Sequence, residues 1–225
     1  MRREPRTITK DEARALLAQP NPACPTGLRN RAMMEIMYRA GLRVSEVTNL
    51  RPGDIRWQAG RVEVRDGKGG VDRTVPLDPE TMNWLRQWDE ERPKGGHFFT
   101  TLKGTQVLPR YVRQMIDRAA EKAGLNPADV SPHVLRHSYA TELLDEGYSI
   151  REVQTLLGHS SVRTTQRYTH VDREALAEKI AGRGQEDEGP ERTEAEDLAA
   201  QVLAALPQEV REALARMASE GNDST

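Results

Sequence analysis

The sequence predicts a mainly helical fold that contains a small three-stranded antiparallel β-sheet. Apolar residues recur at helical spacing through most of the 225 residues. Between residues 55 and 75 this period gives way to short apolar segments separated by glycine-containing turns. A third observation is the composition, with 36% hydrophobic and 30% charged residues and no apolar run of membrane-spanning length. We therefore expect a globular cytoplasmic protein without a membrane partner, and Cys24, the single cysteine, excludes an internal disulfide.

The N-terminal region is predicted to contain two helices. Thr9 and Glu12 have the spacing of a capping box, which opens a short helix that continues to Leu17. A proline-containing loop follows, with prolines at positions 20, 22 and 25. The second helix is predicted from about residue 28 to residue 40, and Gly41 lies where a C′ glycine would end it. A turn and another short helix then lead to residue 51.

The three strands are predicted next. Their apolar residues are Ile55 and Trp57, then Val62 and Val64, then the pair Thr74 and Val75. Turns over residues 58–60 and 67–70 make these strands an antiparallel meander. Beyond Pro79 the chain is predicted to be mostly helical, with Phe98 and Phe99 in a buried loop or strand. The predicted helices cover residues 79–90, 109–123, 132–146, 149–157, 162–168 and 172–181.

Charge and composition divide the chain into three parts. Residues 1–182 hold 29 Lys and Arg against 24 Asp and Glu, whereas residues 183–225 hold 4 against 11. The overall net charge of −2 therefore hides a mildly basic body with an acidic end. We predict a domain over residues 1–181, a linker over 182–193 and an acidic helical extension over 194–225. The basic body is compatible with phosphate contacts, although many other domains carry such a charge.

His133 and Arg136 form the first candidate pair. They are three residues apart on a predicted helix, so both project from one face. An arginine fork can hold two phosphate oxygens while a neighbouring imidazole accepts or donates a proton. Taken alone, His-x-x-Arg is more often a solvated helix face.

Arg43 and Lys68 lie in glycine-containing turns. Arg43 begins a short helix, where backbone N–H groups favour an anion, although it could simply pair with Glu46 three residues on. Lys68 lies in Gly67-Lys68-Gly69-Gly70 at a hairpin tip, ahead of Arg73-Thr-Val-Pro-Leu. That tip could approach a ligand and deliver a proton, although a solvated lysine is the commoner case in any single hairpin.

His159 and Tyr168 complete the set of candidates. His159 follows a Leu-Leu-Gly sequence at which a helix is predicted to end, and there it could also serve as a helix cap. Tyr168 lies in the polar sequence Thr-Thr-Gln-Arg-Tyr-Thr-His, where a core position is not obvious. A half-exposed tyrosine with only a structural role is the default interpretation.

These residues are individually weak signals, but their order and flanking sequences together resemble the tyrosine recombinase family. That family includes the phage integrases and the Xer-type recombinases that resolve chromosomes. The resemblance covers roughly residues 7–181 and implies the fold of a tyrosine recombinase catalytic domain. The matching segments are Gly-Leu-Arg43-Val-Ser-Glu46, His133-Val-Leu-Arg136-His137-Ser-Tyr-Ala-Thr, and Leu-Leu-Gly-His159 through Tyr168-Thr-His.

The resemblance implies that Tyr168 is the nucleophile of a DNA strand-exchange reaction. Its phenol would attack the scissile phosphate, form a 3′-phosphotyrosine link and release a 5′-hydroxyl, which is covalent catalysis without ATP, metal or another cofactor. Arg43 and Arg136 would neutralise the non-bridging oxygens. Lys68 would protonate the leaving oxygen, because a lysine at a mobile tip can reach it.

By the same resemblance two histidines are further catalytic residues, and another histidine and a glutamate support them. His133 would assist proton transfer at the tyrosine, whose ordinary pKa of about 10 makes it a poor nucleophile at neutral pH. His159 would donate to the phosphate. Glu46 and His137 would hold these catalytic residues in place without contacting the phosphate themselves.

The expected partner is double-stranded DNA, on which subunits would assemble, most simply as a tetramer. Family members usually carry an N-terminal helical core-binding domain, but here the matching segment begins almost at Met1. A fragment and a minimal enzyme similar to the fimbrial-switch invertases both stay open, as does a need for an accessory DNA-binding protein or a separate core-binding partner. The acidic extension could dock on a neighbouring subunit or act as a solubilising appendage.

Two other functions share this fold. A type IB topoisomerase uses the same phosphotyrosine chemistry but only relaxes supercoils. The motif sequences resemble those of Xer recombinases, which argues against a topoisomerase. A DNA-binding regulator derived from a recombinase would have lost the tyrosine or an arginine, and this sequence has all of them. The sequence leaves the DNA site open, as well as the choice among integration, excision, inversion and dimer resolution.

Overall fold

A computed structural model of the chain describes residues 6–65, 72–158 and 173–183, without the side chains of 173–175. All of these residues belong to one unit that spans residues 1–184. The described part is mainly helical and contains one three-stranded antiparallel sheet, which confirms the predicted fold class. Its helices are α1 (Lys10–Leu17), α2 (Pro25–Arg39), α3 (Val44–Asn49), α4 (Pro79–Glu91), α5 (Pro109–Lys122), α6 (Pro132–Asp145), α7 (Ile150–Leu157) and α8 (Arg173–Gly182), and its strands are β1 (Ile55–Arg56), β2 (Arg61–Val64) and β3 (Arg73–Pro76).

Helix α1 begins with the predicted capping box. The Glu12 N–H donates to the Thr9 hydroxyl at 3.1 Å, and the Thr9 N–H donates to the Glu12 carboxylate at 2.8 Å. These two bonds satisfy N–H groups that would otherwise have no partner in the first turn. The apolar face of the helix, Ala13, Leu16 and Leu17, is buried.

Helix α2 runs through the centre of the domain. It begins at Pro25, three residues before the predicted start, because a proline at the first helical position loses no hydrogen bond there. Beyond the helix, Gly41 has a φ of +63°, as its predicted role as a C′ glycine requires. A Cβ at Gly41 would lie 2.6 Å from the Tyr139 ring, so α6 also approaches too closely for any other residue.

The sheet forms the predicted meander, with β2 between β1 and β3. Val62, Val64 and Val75 place their side chains in the core. Trp57 was predicted to lie in the first strand, which is wrong, because residues 57–59 form a single 3₁₀ turn after β1. The tip of the second hairpin, residues 66–71, includes Lys68 and lies outside the described residues.

The helices after the sheet lie close to their predicted positions. Phe98 and Phe99 are fully buried in a loop, one of the two predicted alternatives, and their rings meet edge to face. Helix α8 extends to Gly182, the first residue of the predicted linker. The predicted helix over 162–168 and nearly all of the predicted linker and extension lie outside the described residues, so the division into domains stays a prediction. None of the described helices is long and apolar enough to cross a membrane.

Helix α6 links two clusters of buried side chains. Its first turns pack on the main core through Leu135, while Tyr139 and Leu143 belong to a second cluster. That second cluster also contains apolar residues of α7 and α8, among them Leu157 and Ile180. Arg136 of α6 bonds to the carbonyls of Gly41, just beyond α2, and Leu157, at the end of α7, so these segments lie close together. The predicted site residues of the described part lie in α3 with its N-cap and in the first two turns of α6.

Candidate active site

A cavity of about 450 Å³ lies where the first turns of α3 and α6 meet α5. Three of the predicted catalytic residues, Arg43, His133 and Arg136, line it together. The other charged residues in its lining are Arg113 and Asp117 of α5. Within the described residues the lining therefore carries three guanidinium groups against one carboxylate. Such an excess of positive charge around a concave surface favours an anion.

Arg43 occupies the N-cap of α3 and is held there by Glu46. Its backbone N–H donates to one carboxylate oxygen at 2.7 Å, and its Nη1 donates to the other at 2.7 Å. The pairing that the i, i+3 spacing suggested is therefore present. The Arg43 side chain is nevertheless 38% exposed, so it reaches the cavity while Glu46 orients it.

Arg136 is buried and is held by backbone carbonyls. Its Nη1 donates to the carbonyl of Gly41, just beyond α2, and its Nη2 donates to the carbonyl of Leu157 at 2.6 Å, at the end of α7. These bonds engage two of the five N–H donors of a guanidinium. The remaining donors belong to a side chain that lines the cavity, where they can meet an anion.

Burial lowers the pKa of Arg136 to about 10, and repulsion from Arg43 and Arg73 contributes while Glu46 opposes the change. At neutral pH the guanidinium stays protonated. An anion in the cavity would relieve both the cost of burial and the repulsion between arginines, so the site is electrostatically prepared for one.

Glu46 lies among three arginines. Arg73 forms a two-pronged ion pair with it, with Nη–O distances of 2.8 and 2.9 Å, and Arg136 Nη1 lies 4.0 Å from Oε2. Burial alone would raise the pKa of Glu46, but the hydrogen bonds and charge of Arg73, followed by those from Arg43, hold it at about 2. Glu46 is therefore ionised at any physiological pH, and its fixed negative charge holds the side chains of Arg43 and Arg73.

The two histidines of α6 differ in their placement. His133 is exposed in the first turn of the helix, whose N-cap Ser131 accepts from the Val134 N–H at 3.3 Å, and it lines the cavity beside Arg136. His137 is half-buried one turn further along and does not line the cavity. Its predicted supporting role stays a prediction. Lys68, His159 and Tyr168 lie outside the described residues, so their placement stays a prediction as well.

The structure adds two arginines whose roles the sequence did not indicate. Arg73 was only part of the segment that follows Lys68, and Arg113 was one of several charged residues on a predicted helix. The spacing of Arg113 and Asp117 by four residues places both on one face of α5, which is a weak signal. No local pattern pairs Arg73 with Glu46, because 27 residues separate them.

Comparison with known proteins shows the family to which this mainly helical domain belongs. The phage integrase family matches residues 6–175. The tyrosine recombinase XerD of Ralstonia nicotianae is 41% identical over 181 residues, which are 77% of this chain and 58% of that protein. The chain belongs to the phage integrase family, the family of tyrosine recombinases that the motifs predicted.

Solved structures of tyrosine recombinases share the fold of this chain. The crystal structure of the XerA recombinase is 34% identical, with a TM-score of 0.65 over 78% of this chain and 64% of that one. The XerH site-specific recombinase, solved in a pre-cleavage complex with its difH substrate, is 28% identical with a TM-score of 0.61 over 77% of this chain and 52% of that one. The chain spans less than two thirds of the length of these relatives.

Proposed function

We propose that the chain is a site-specific DNA recombinase that cleaves and rejoins DNA strands through a 3′-phosphotyrosine intermediate at Tyr168. The observation that carries this proposal is the convergence of Arg43, His133 and Arg136 on one cavity. Membership of the phage integrase family supports the same conclusion. The cavity supplies positive charge that is fixed before a substrate arrives, which is the most effective form of electrostatic stabilisation.

The phosphate would occupy the cavity between the two arginines. Arg136 can use its fork-shaped donors on non-bridging oxygens while two carbonyls hold it in place. Arg43 approaches from the start of α3 with its orientation set by Glu46. Negative charge grows on these oxygens as the phosphorus becomes five-coordinate, so both contacts strengthen in the transition state.

In the first chemical step the Tyr168 oxygen forms a bond to phosphorus and the bond from phosphorus to the 5′-oxygen breaks. The phenolic proton passes to a base, a role proposed for His133, which lines the cavity in the first turn of α6. Lys68 is proposed to give a proton to the departing 5′-oxygen, and His159 to donate a hydrogen bond to the phosphate. His137 is proposed to support this group from the next turn of α6.

In the second step a 5′-hydroxyl of the partner strand attacks the phosphotyrosine and releases the enzyme. One phosphodiester bond is exchanged for another through a covalent intermediate, so the cycle needs no nucleotide. Proton transfers and arginine contacts supply the catalysis, and no step in this scheme uses a metal ion. In the described ranges no group of three or more His, Cys, Asp or Glu is placed to hold one.

Double-stranded DNA is the proposed partner, and the related XerH recombinase has been solved bound to its DNA substrate. Exchange between two duplexes cuts four strands, so we propose assembly on DNA as a tetramer. We also propose that an accessory DNA-binding protein or a separate core-binding partner takes part in this assembly. A cytoplasmic location is part of the same proposal, because the substrate is cellular DNA. Residues 1–181 are proposed as the catalytic domain, followed by the linker and the acidic extension.

Covalent capture from a randomised pool tests the proposed chemistry even though the DNA site is unknown. The full chain is incubated in EDTA with duplexes that are randomised around a nick, so that cleavage releases a short 5′-hydroxyl fragment and traps the intermediate. We expect denaturant-resistant adducts on a recurring DNA sequence, because the phosphotyrosine link is covalent and its formation needs no metal.

The adducts are then digested, and the modified peptide is identified by mass spectrometry. DNA attached to Tyr168 by a 3′-phosphate is the expected result. Absence of any adduct, or cleavage that EDTA abolishes and a divalent ion restores, would overturn the proposal. Relaxation of supercoiled plasmid without strand transfer between two captured sites would instead assign the chain to the topoisomerases.

Lys68 is tested by changing the leaving group. A 5′-bridging phosphorothioate has a leaving sulfur that needs no proton, so Lys68→Ala is expected to cleave this substrate at close to the wild-type rate. The same variant is expected to cleave ordinary DNA about 10² to 10⁴ times more slowly, the usual contribution of a general acid. Single-turnover cleavage of both substrates is the measurement.

Arg136→Ala is the matched comparison for this test. It is expected to stay defective on the sulfur substrate, because the charge on the non-bridging oxygens is unchanged. Equal defects of Lys68→Ala on both substrates would show that Lys68 acts by electrostatics or DNA positioning, and His133 would become the next candidate for the acid.

A further inference from the structure

We propose that Arg73 is a positioning residue for DNA cleavage, joining Glu46 and the end of α7 into one rigid support for Arg43 and Arg136. This inference rests on the proposed function, since it concerns the arrangement of the phosphate-binding arginines. Arg73 does not line the cavity, so its effect on the reaction is indirect.

Arg73 holds Glu46 through a two-pronged contact. Nη1 and Nη2 of Arg73 lie 2.8 and 2.9 Å from the two carboxylate oxygens, and both side chains are more than 90% buried. Two parallel N–H···O bonds fix the plane of the carboxylate as well as its position. The same carboxylate receives the backbone N–H and the Nη1 of Arg43. Arg73 therefore sets the orientation of the group that orients Arg43.

Arg73 also contacts the end of α7. Its Nε donates to the Leu156 carbonyl at 3.0 Å, and the next carbonyl along the chain, that of Leu157, accepts from Arg136. Carbonyls in the last turn of a helix have no partner within the helix, so two arginines complete this end of α7. Arg73 and Arg136 therefore bind neighbouring carbonyls at the same end of α7, and each helps to fix the helix end that the other contacts.

Gly158 shows how closely Arg73 packs against this helix end. Its φ of +64° ends α7 in the left-handed conformation, and a Cβ there would lie 2.5 Å from the Arg73 Cδ. The glycine thus permits both the turn and the close approach of the arginine. The next residue in the chain is His159, so the turn supported by Arg73 leads directly into another predicted catalytic residue.

Removal of Arg73 would change the charge state of Glu46. The charged groups of the described residues that face this carboxylate are Arg43 at the start of α3, Arg73 on β3 and, at 4.0 Å, Arg136 on α6. Burial raises the pKa of Glu46, and Arg73 is the largest of the influences that oppose it. Without Arg73 the pKa of Glu46 therefore rises from about 2.

The sign of the resulting pH effect depends on which form of Glu46 holds Arg43. Only the ionised carboxylate accepts both Arg43 donors, and protonation replaces an acceptor site with an O–H group. In the wild type the carboxylate stays ionised down to about pH 2, so cleavage is insensitive to it at ordinary pH. In a variant without Arg73, cleavage is expected to weaken as the pH falls and to recover as it rises.

The experiment compares Arg73→Gln, Arg73→Lys and the control Arg56→Gln. Arg56 makes a similar two-pronged pair with Glu63 across the same sheet, with both N–O distances at 2.8 Å, but it lies away from the cavity. Each full-length variant is tested for folding by thermal unfolding and for DNA affinity by gel shift. Single-turnover formation of the covalent adduct is then followed from about pH 5 to about pH 9, which spans the range toward which a buried glutamate can move.

We expect Arg73→Gln to slow adduct formation by about 100-fold at neutral pH with little change in DNA affinity, the size of effect that misplaced reacting groups produce. Its loss of rate grows at acid pH. Arg73→Lys keeps the positive charge but not the fork, so it is expected to retain a flatter pH profile with an intermediate rate. Arg56→Gln is expected to match the wild type in rate and in pH dependence.

A wild-type rate for Arg73→Gln at every pH would overturn the inference and leave the proposed function intact. A lower rate that runs parallel to the wild-type pH profile and scales with the folded fraction would also overturn it, because stability alone would then explain the defect. If Arg73→Gln does not fold, Arg73→Lys decides: the inference fails if this variant matches the wild-type rate. Failure of the wild type to form any adduct would instead contradict the proposed function.

Discussion

Tyr168→Phe is expected to abolish covalent capture of DNA while leaving DNA binding nearly intact. The substitution removes the one oxygen proposed to bond to phosphorus but keeps the aromatic ring. Loss of a catalytic nucleophile typically costs on the order of 10⁶-fold in rate, so the adduct should be absent from a denaturing gel. Affinity for the captured duplex is measured in parallel by gel shift.

Tyr148→Phe provides the matched control for that experiment. Tyr148 is also a tyrosine of this domain, but it lies buried between α6 and α7 in the second cluster, away from the cavity. Removal of its hydroxyl is expected to leave adduct formation at the wild-type level. A denaturant-resistant adduct with Tyr168→Phe would show that another residue is the nucleophile.

Arg136→Ala is expected to slow cleavage of bound DNA far more than it weakens binding. The contact to the reacting phosphate is worth about 2.7–4 kcal/mol if it resembles a lost oxyanion donor, which is about 10² to 10³ in rate. The variant should also lose stability, because the carbonyls of Gly41 and Leu157 lose their donor. An unsatisfied buried acceptor costs about 1–3 kcal/mol, and thermal unfolding measures this part separately.

Arg43→Ala is expected to act on cleavage in the same direction with a smaller effect on stability, because its side chain is partly exposed. Arg118→Ala is the control for loss of an arginine, since Arg118 is exposed on α5 and does not line the cavity. The measurement is single-turnover cleavage at saturating enzyme, with affinity measured separately. If affinity fell while bound DNA was cleaved at the wild-type rate, these arginines would only position DNA.

Features that depend on neighbouring residues were predictable from the sequence. The capping box of Thr9 and Glu12 and the left-handed Gly41 are both local patterns, and the structure confirms them. Errors arose where one residue type suits two local structures. Pro25 was assigned to a loop but begins α2, and Trp57 was assigned to a strand but lies in a turn. The Arg43–Glu46 contact was also foreseeable, because it spans a single helical turn.

The sequence by itself determined the fold class and the family, because periodicity, capping and motif order are properties of the linear chain, and it predicted the residue types of the site. Only the tertiary structure decided which groups hold the arginines in place. Arg136 is held by carbonyls of Gly41 and Leu157, and Glu46 is paired with Arg73 on a distant strand. Backbone carbonyls carry no sequence signature, and a buried ion pair between distant segments depends on how helices and sheet pack. The support of the site therefore became visible only in the folded chain.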